Sequence, residues 1–158
     1  MKSLILLRHA KSERDSPDGS DFARPLNDRG RSDSKRIGKE IRRLGLDSDL
    51  VLASSAQRVV ETVDGVGGLS PTFDRRIYEA STGQLFEIIR EVDDRIDRLM
   101  LVGHNPGFER VAARLTDGKV DTLPTGALVE IELPVDHWRE VGEGNGHLVR
   151  FVRPKELA

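Results

Sequence analysis

The chain contains no cysteine in 158 residues, which excludes disulfides, thiolate metal sites and cysteine nucleophiles and fits a reducing compartment. It has almost no net charge, −2 with a pI near 6.1, so no global positive field is available to hold nucleic acid or an anionic membrane. Any anion site has to be local. Long hydrophobic runs are missing: Leu4 to Leu7 is far too short for a signal-peptide core or a membrane span, and nothing later approaches that length. A cytoplasmic protein with no membrane partner is expected. Neither a GxxxxGK loop nor a GxGxxG after a strand occurs, which removes the usual support for nucleotide binding. There is no internal repeat and no low-complexity segment.

The residues present are those of an ordinary globular chain, 37% apolar and 33% charged with both signs interleaved. A chain of this size buries about two-thirds of its unfolded surface in one core, so one domain over residues 1–158 is expected. Short apolar runs at residues 3–8, Leu50 to Ala53 and Arg98 to Val102 read as strands covered on both faces, and Arg76 to Tyr78 is taken as another. Between them lie helical patterns. Asn27 caps a helix carrying Ile37, Ile41 and Leu44 and ended by Gly45; Ser81 caps one with Leu85, Phe86, Ile88, Ile89 and Val92 inward. Arg58 to Val66 and Phe108 to Leu115 supply two more. Ala127 to Leu133 and His147 to Val152 flank a polar, glycine-containing turn and read as an antiparallel hairpin at one sheet edge. The expected fold is an α/β three-layer sandwich: a mostly parallel central sheet between helices, with antiparallel strands toward the C-terminus. The longest structureless piece, residues 10–26, has the length of a functional loop.

In such sheets ligands bind beyond the carboxyl ends of the strands. The first strand delivers Arg8 and His9 there, the second Ser54, Ser55 and Arg58, the third Glu79, and the fourth Gly103-His104-Asn105. Arg24 joins them from the long loop. Singly, Arg58 and Glu79 read as solvated surface residues and Arg24 as the partner of a nearby aspartate. Jointly they describe a site, because a guanidinium at the end of a buried strand requires a partner or a ligand. His137 and His147 lie in polar, turn-like sequence and are given no role, and Thr125 in "LPTGA" is taken to turn the chain into the next strand.

Three arginines around two imidazoles make a poor metal site and a good anion site, since the planar guanidinium binds phosphate oxygens in a bidentate way. Neutral His9 is then a competent nucleophile toward phosphorus. His104 serves as a proton-bearing donor to the equatorial oxygens, and Glu79, the acid at a strand end, protonates the leaving group. No cofactor and no metal are expected.

These residues occur in motifs. "LILLRHAKSE" resembles the Arg-His-Gly motif of the histidine phosphatase, or phosphoglycerate-mutase-like, superfamily, and the chain is similar to its small SixA-type phosphohistidine phosphatase branch from residue 3 to about residue 133. "RHAK", "ARPLNDRG" with Arg24 and Gly30, "ASSAQRVVET" and "VGHNPG" carry the resemblance in order, and "RIYEAS" places Glu79 where related enzymes carry their acid. The resemblance implies that His9 is phosphorylated in turnover, that Arg8, Arg58 and His104 form the phosphate pocket, that Arg24 is a further phosphate contact, and that no metal takes part. Ala10 departs from the glycine that usually follows the histidine, and Gln57 from a common leucine.

The segment between Glu79 and His104, residues 80–103 and so 24 in all, leaves little room for a lid. An open pocket admits phosphohistidine on a phosphorelay or signalling protein. The alternatives are a small phosphate ester, as phosphomonoesterase or mutase substrate, and a non-catalytic module that binds phosphorylated partners.

Overall fold

The computed structural model describes residues 1–157. Six strands form one sheet in the order β3-β2-β4-β1-β5-β6, where β1 is Lys2–Arg8, β2 Leu50–Ala53, β3 Pro71–Phe73, β4 Arg98–Gly103, β5 Leu128–Leu133 and β6 His147–Val152. β3, β2, β4 and β1 run parallel; β5 and β6 are antiparallel to their neighbours. Alternation along the strands divides the core. Leu4 and Leu6 of β1 and Leu99 and Leu101 of β4 face helices α3 (Thr82–Arg90) and α4 (Gly107–Leu115). Ile5, Leu7, Met100 and Val102 point the other way, to α1 (Asp28–Leu44) and α2 (Gln57–Val66). This is why the apolar runs are continuous: both faces are covered, and each fully buried aliphatic side chain contributes roughly 1.5–3 kcal/mol. The three-layer α/β arrangement matches the expectation.

Helix ends follow the sequence signals. The Asn27 side chain accepts from the Gly30 backbone N–H, and Gly45 ends α1 in the left-handed region at φ 64°. Ser81 and Gln84 form a reciprocal capping box at the start of α3. Gly30 has a second duty: a β-carbon there collides with the carbonyl oxygen of Lys11, so the start of α1 can lie against the chain leaving β1.

Two expectations are corrected. Arg76 to Tyr78 is not a strand; Arg75–Ile77 is a short 3-10 helix, and the third strand lies earlier, at Pro71–Phe73. The Asp74 side chain accepts from the Arg76 N–H, which turns the backbone, while Ile77 enters the core. The connection between β5 and β6 is more than a polar turn, since it carries Trp138, fully buried, with its Nε1–H donated to the Ile96 carbonyl at 2.8 Å. Among the described residues no helix is long and apolar enough to cross a membrane.

Candidate active site

Strand register builds the centre of the site. Arg8 of β1 pairs with Gly103 of β4, and the His9 N–H continues the ladder to the Gly103 carbonyl at 3.0 Å. The residues that follow, His9 and His104, therefore leave the sheet side by side, with ring centroids 5.3 Å apart. On the other side of β4, the Ser54 N–H continues the β2 ladder to the Val102 carbonyl at 3.0 Å. These ends open into a cleft of about 820 Å³ lined by Arg8, His9, Arg24, Arg58 and His104, together with Lys11, Ser12, Asn27, Asn105 and Thr125 and the loop residues Glu13, Arg14 and Asp15.

His9 is 7% exposed. Its Nδ1 lies 2.7 Å from the Ala10 carbonyl oxygen, which can only accept, so Nδ1 carries the hydrogen and Nε2 the lone pair. The Ala10 peptide is itself fixed, because its N–H donates to Thr62 Oγ1 of α2 at 3.0 Å. Burial lowers His9 to about 4, the hydrogen bond to Ala10 opposes this, and Arg58, Arg8 and Arg24 add to the lowering. His9 is neutral at pH 7.

His104 Nε2 lies 2.8 Å from Ser54 Oγ, and its pKa is lowered to about 3, first by burial and then by His9 and Arg58. The expected proton-bearing donor is therefore a neutral imidazole in the free protein. Four buried side-chain polar atoms among the described residues have no hydrogen-bond partner, and two of them, Arg8 Nε and His104 Nδ1, belong to residues lining this cleft. Buried groups of this kind are rare, and Arg8 Nε, which carries a hydrogen, is a donor suited to an anion in a cationic cleft.

The arginines are held from behind. Arg8 Nη1 donates to the Leu123 carbonyl at 3.0 Å, and the same carbonyl accepts from Asn105 Nδ2 at 2.8 Å. Burial lowers the Arg8 pKa, with Glu109 opposing it. Arg58, buried at the start of α2, donates from Nη1 to the Asp21 carbonyl at 2.9 Å and from Nη2 to Asp21 Oδ2 at 3.1 Å. Arg24 donates from Nη1 to Asp21 Oδ1 at 2.8 Å, from Nη2 to Ser12 Oγ at 2.8 Å and from Nε to the Glu13 carbonyl at 2.7 Å. The aspartate pairing foreseen for Arg24 is present, and Arg24 lines the cleft as well. The hydroxyl of Tyr78 donates to Asp21 Oδ2 at 2.7 Å. With that hydrogen bond first and the arginines after it, the Asp21 carboxyl sits well below the usual carboxylate range, and Tyr78, chiefly through burial, is pushed up to about 12. Asp21 thus ties the long loop to α2 and to the segment after β3, and it was not among the residues singled out in the sequence.

Arg8, His9, Arg24, Arg58 and His104 are brought together. Glu79 is not: it is exposed, in the left-handed region at φ 58°, and lines a neighbouring hollow with Tyr78, Gln84 and Glu87. Tyr78, the residue before it, reaches the site, its ring 5.5 Å from that of His104 and edge-on to it. Thr125 lies in the turn before β5 and also lines the cleft, a position beyond the turning role expected of it. His137 and His147 lie away from the cleft, His137 paired with Asp94 at 2.9 Å.

Comparison with known proteins shows the family and the fold. The model of the histidine phosphatase superfamily (branch 1) matches residues 4–116. The uncharacterised protein Rv1276c of Mycobacterium tuberculosis is 33% identical over 161 residues, covering 94% of this chain and 100% of that protein. An uncharacterised chloroplastic protein of Arabidopsis thaliana is 29% identical, covering 97% and 78%. Among solved structures, a candidate phosphohistidine phosphatase SixA from Agrobacterium tumefaciens superposes with a TM-score of 0.81 at 25% identity, covering 97% of this chain and 98% of that one. The protein histidine phosphatase SixA complexed with tungstate superposes with a TM-score of 0.82 at 20% identity, covering 98% of each chain.

Proposed function

The chain belongs to branch 1 of the histidine phosphatase superfamily, and from that premise we propose that it hydrolyses phosphohistidine in a protein substrate, without a metal, through a phosphorylated His9. The observation that carries this reading is the pairing of a neutral His9, its Nε2 lone pair fixed by the Nδ1–H bond to Ala10, with Arg8, Arg24, Arg58 and His104 around one cleft.

In the first step the Nε2 lone pair forms a bond to phosphorus while the bond from phosphorus to the substrate nitrogen breaks, and the departing imidazole takes up a proton. Water then attacks the phosphorus of phospho-His9, giving up a proton to the acid that protonated the departing imidazole, the new P–N bond breaks, inorganic phosphate leaves, and Nε2 recovers its lone pair. Arg8, Arg24 and Arg58 balance the charge on the three equatorial oxygens, where phosphoryl transfer requires it. The same guanidiniums disfavour a divalent cation beside His9 and His104, which supports a reaction without one.

Glu79 is proposed as the acid for the leaving group, acting from the rim after a side-chain rotation. Imidazole leaves more readily than an alkoxide, so a site whose candidate acid stands outside the cleft favours a phosphoramidate over an alkyl ester. Access supports a macromolecular substrate, because the chain between Glu79 and His104 is spent on α3 and β4 rather than on a cover for the cleft. The test is competition between a phosphohistidine-bearing protein and a panel of sugar phosphates. A higher kcat/KM for the protein supports the reading, and a higher value for any sugar phosphate overturns the substrate assignment.

A further inference from the structure

Ser54 is fully buried at the end of β2, and its hydroxyl has two neighbours: the Ala56 N–H, which donates to it at 3.2 Å, and His104 Nε2 at 2.8 Å. The first neighbour can only donate. The second is an imidazole nitrogen that either accepts the serine hydrogen or supplies its own.

The two arrangements differ in what they leave unpaired. If Ser54 donates, its hydrogen goes to Nε2, its oxygen accepts from Ala56, and the only unpaired group is a hydrogen on His104 Nδ1. If His104 donates instead, the serine hydrogen has no acceptor, and the Nδ1 lone pair has no donor, since Nδ1 lacks a partner. That leaves two buried polar groups unsatisfied rather than one, each at the cost of desolvation. The ligand chemistry points the same way. A phosphoryl oxygen beside a neutral imidazole is attracted by an N–H and repelled by a lone pair.

We propose that Ser54 is a positioning residue that fixes His104 in the Nδ1–H tautomer, so that neutral His104 offers the phosphoryl group a hydrogen-bond donor. The two histidines then carry their hydrogens on the same ring atom and use opposite sides of the ring. In His9 the Nδ1–H is tied to the Ala10 carbonyl and the Nε2 lone pair is left to attack. In His104 the Nε2 lone pair is tied to Ser54 and the Nδ1–H is left to bind. Transition-state charge is thereby met without charging an imidazole among arginines, a step that burial opposes. This assignment rests on the phosphatase reading of the cleft.

The test is made on the full chain labelled with 15N-histidine at neutral pH, with the four histidines resolved by long-range 15N–1H correlation and His104 identified from the His104→Gln spectrum. A protonated Nδ1 and an unprotonated Nε2 are expected, and the opposite tautomer overturns the proposal. Ser54→Ala is expected to move His104 toward the Nε2–H form and to weaken binding of inorganic phosphate about tenfold, the effect of losing one hydrogen bond to a charged group, while Ser54→Thr restores both. An unchanged tautomer or unchanged phosphate affinity in Ser54→Ala overturns it too. Should Ser54→Ala not fold, the spectrum of the unmodified protein still decides. Neither measurement uses turnover, so a chain that binds phosphate with the stated tautomer but does not hydrolyse phosphohistidine refutes the proposed substrate and leaves the role of Ser54 standing.

Discussion

Asp21 grips Arg58 at two points, through its backbone carbonyl at 2.9 Å and its carboxylate at 3.1 Å, although the two residues are 37 apart in the chain. The same carboxylate holds Arg24 and accepts from Tyr78. Asp21→Asn keeps the size of the side chain and removes the charge that balances two guanidiniums. Its side chain is 46% exposed, so the fold is expected to survive. Phosphatase kcat/KM is expected to fall by about tenfold or more, the loss typical of a charge-assisted hydrogen bond, with thermal unfolding little changed. Unchanged kcat/KM removes Asp21 from the machinery.

His9→Ala is expected to lower turnover by at least about a thousandfold, as for other covalent nucleophiles. Brief incubation of the unmodified protein with a 32P-labelled phosphohistidine substrate should leave an acid-labile, alkali-stable label on His9. A variant with full activity, or label at another residue, refutes the covalent mechanism.

The two neutral histidines set a pH dependence. His9 titrates near 4 and His104 near 3 in the folded chain, against an ordinary value of 6.5. Below about 6.5 the unfolded chain binds protons that the folded chain refuses, so their contribution to stability is complete above that pH and is lost as pH falls toward the folded values. Denaturant titrations at pH 7 and at pH 4.5 should show this loss, and the double variant His9→Gln/His104→Gln should show a smaller one. An equal loss in both proteins contradicts the assignment.

Glu79→Gln separates two substrate classes. Hydrolysis of an alkyl phosphate monoester, whose leaving group needs a proton, is expected to slow at least about threefold more than hydrolysis of a phosphohistidine protein. The reverse order means that the phosphoramidate depends on Glu79 more than the ester does, and it overturns the preference for phosphohistidine drawn from the exposed position of this acid.

The frame of the site was legible because it is written in local sequence. β1 is an apolar run that ends in Arg8, β4 is one that leads into His104, and α1 and α3 begin on caps made by neighbouring side chains, with Gly45 closing α1. Asp21 was not legible. Nothing near it distinguishes it from Asp15 or Asp18, since the partners that define it, Arg58 and Tyr78, lie on other elements. Ser54 looked like one of two adjacent serines until the strand register placed it against His104. The segment after α2 is hard to read from sequence because Pro71–Phe73 is a three-residue edge strand with little periodicity, while Ile77 looks strand-like and is buried from a 3-10 turn. Trp138 is not legible because polar residues surround in sequence a side chain that fills the far end of the core.

The pairing of Arg8 with Gly103 means that the spacing between the two imidazoles is set by a ladder of the central sheet rather than by a loop. Heating the protein therefore has little chance to spoil the reactive pair ahead of the body of the molecule: the last amides to exchange with solvent and the last molecules able to turn over should disappear at the same temperature.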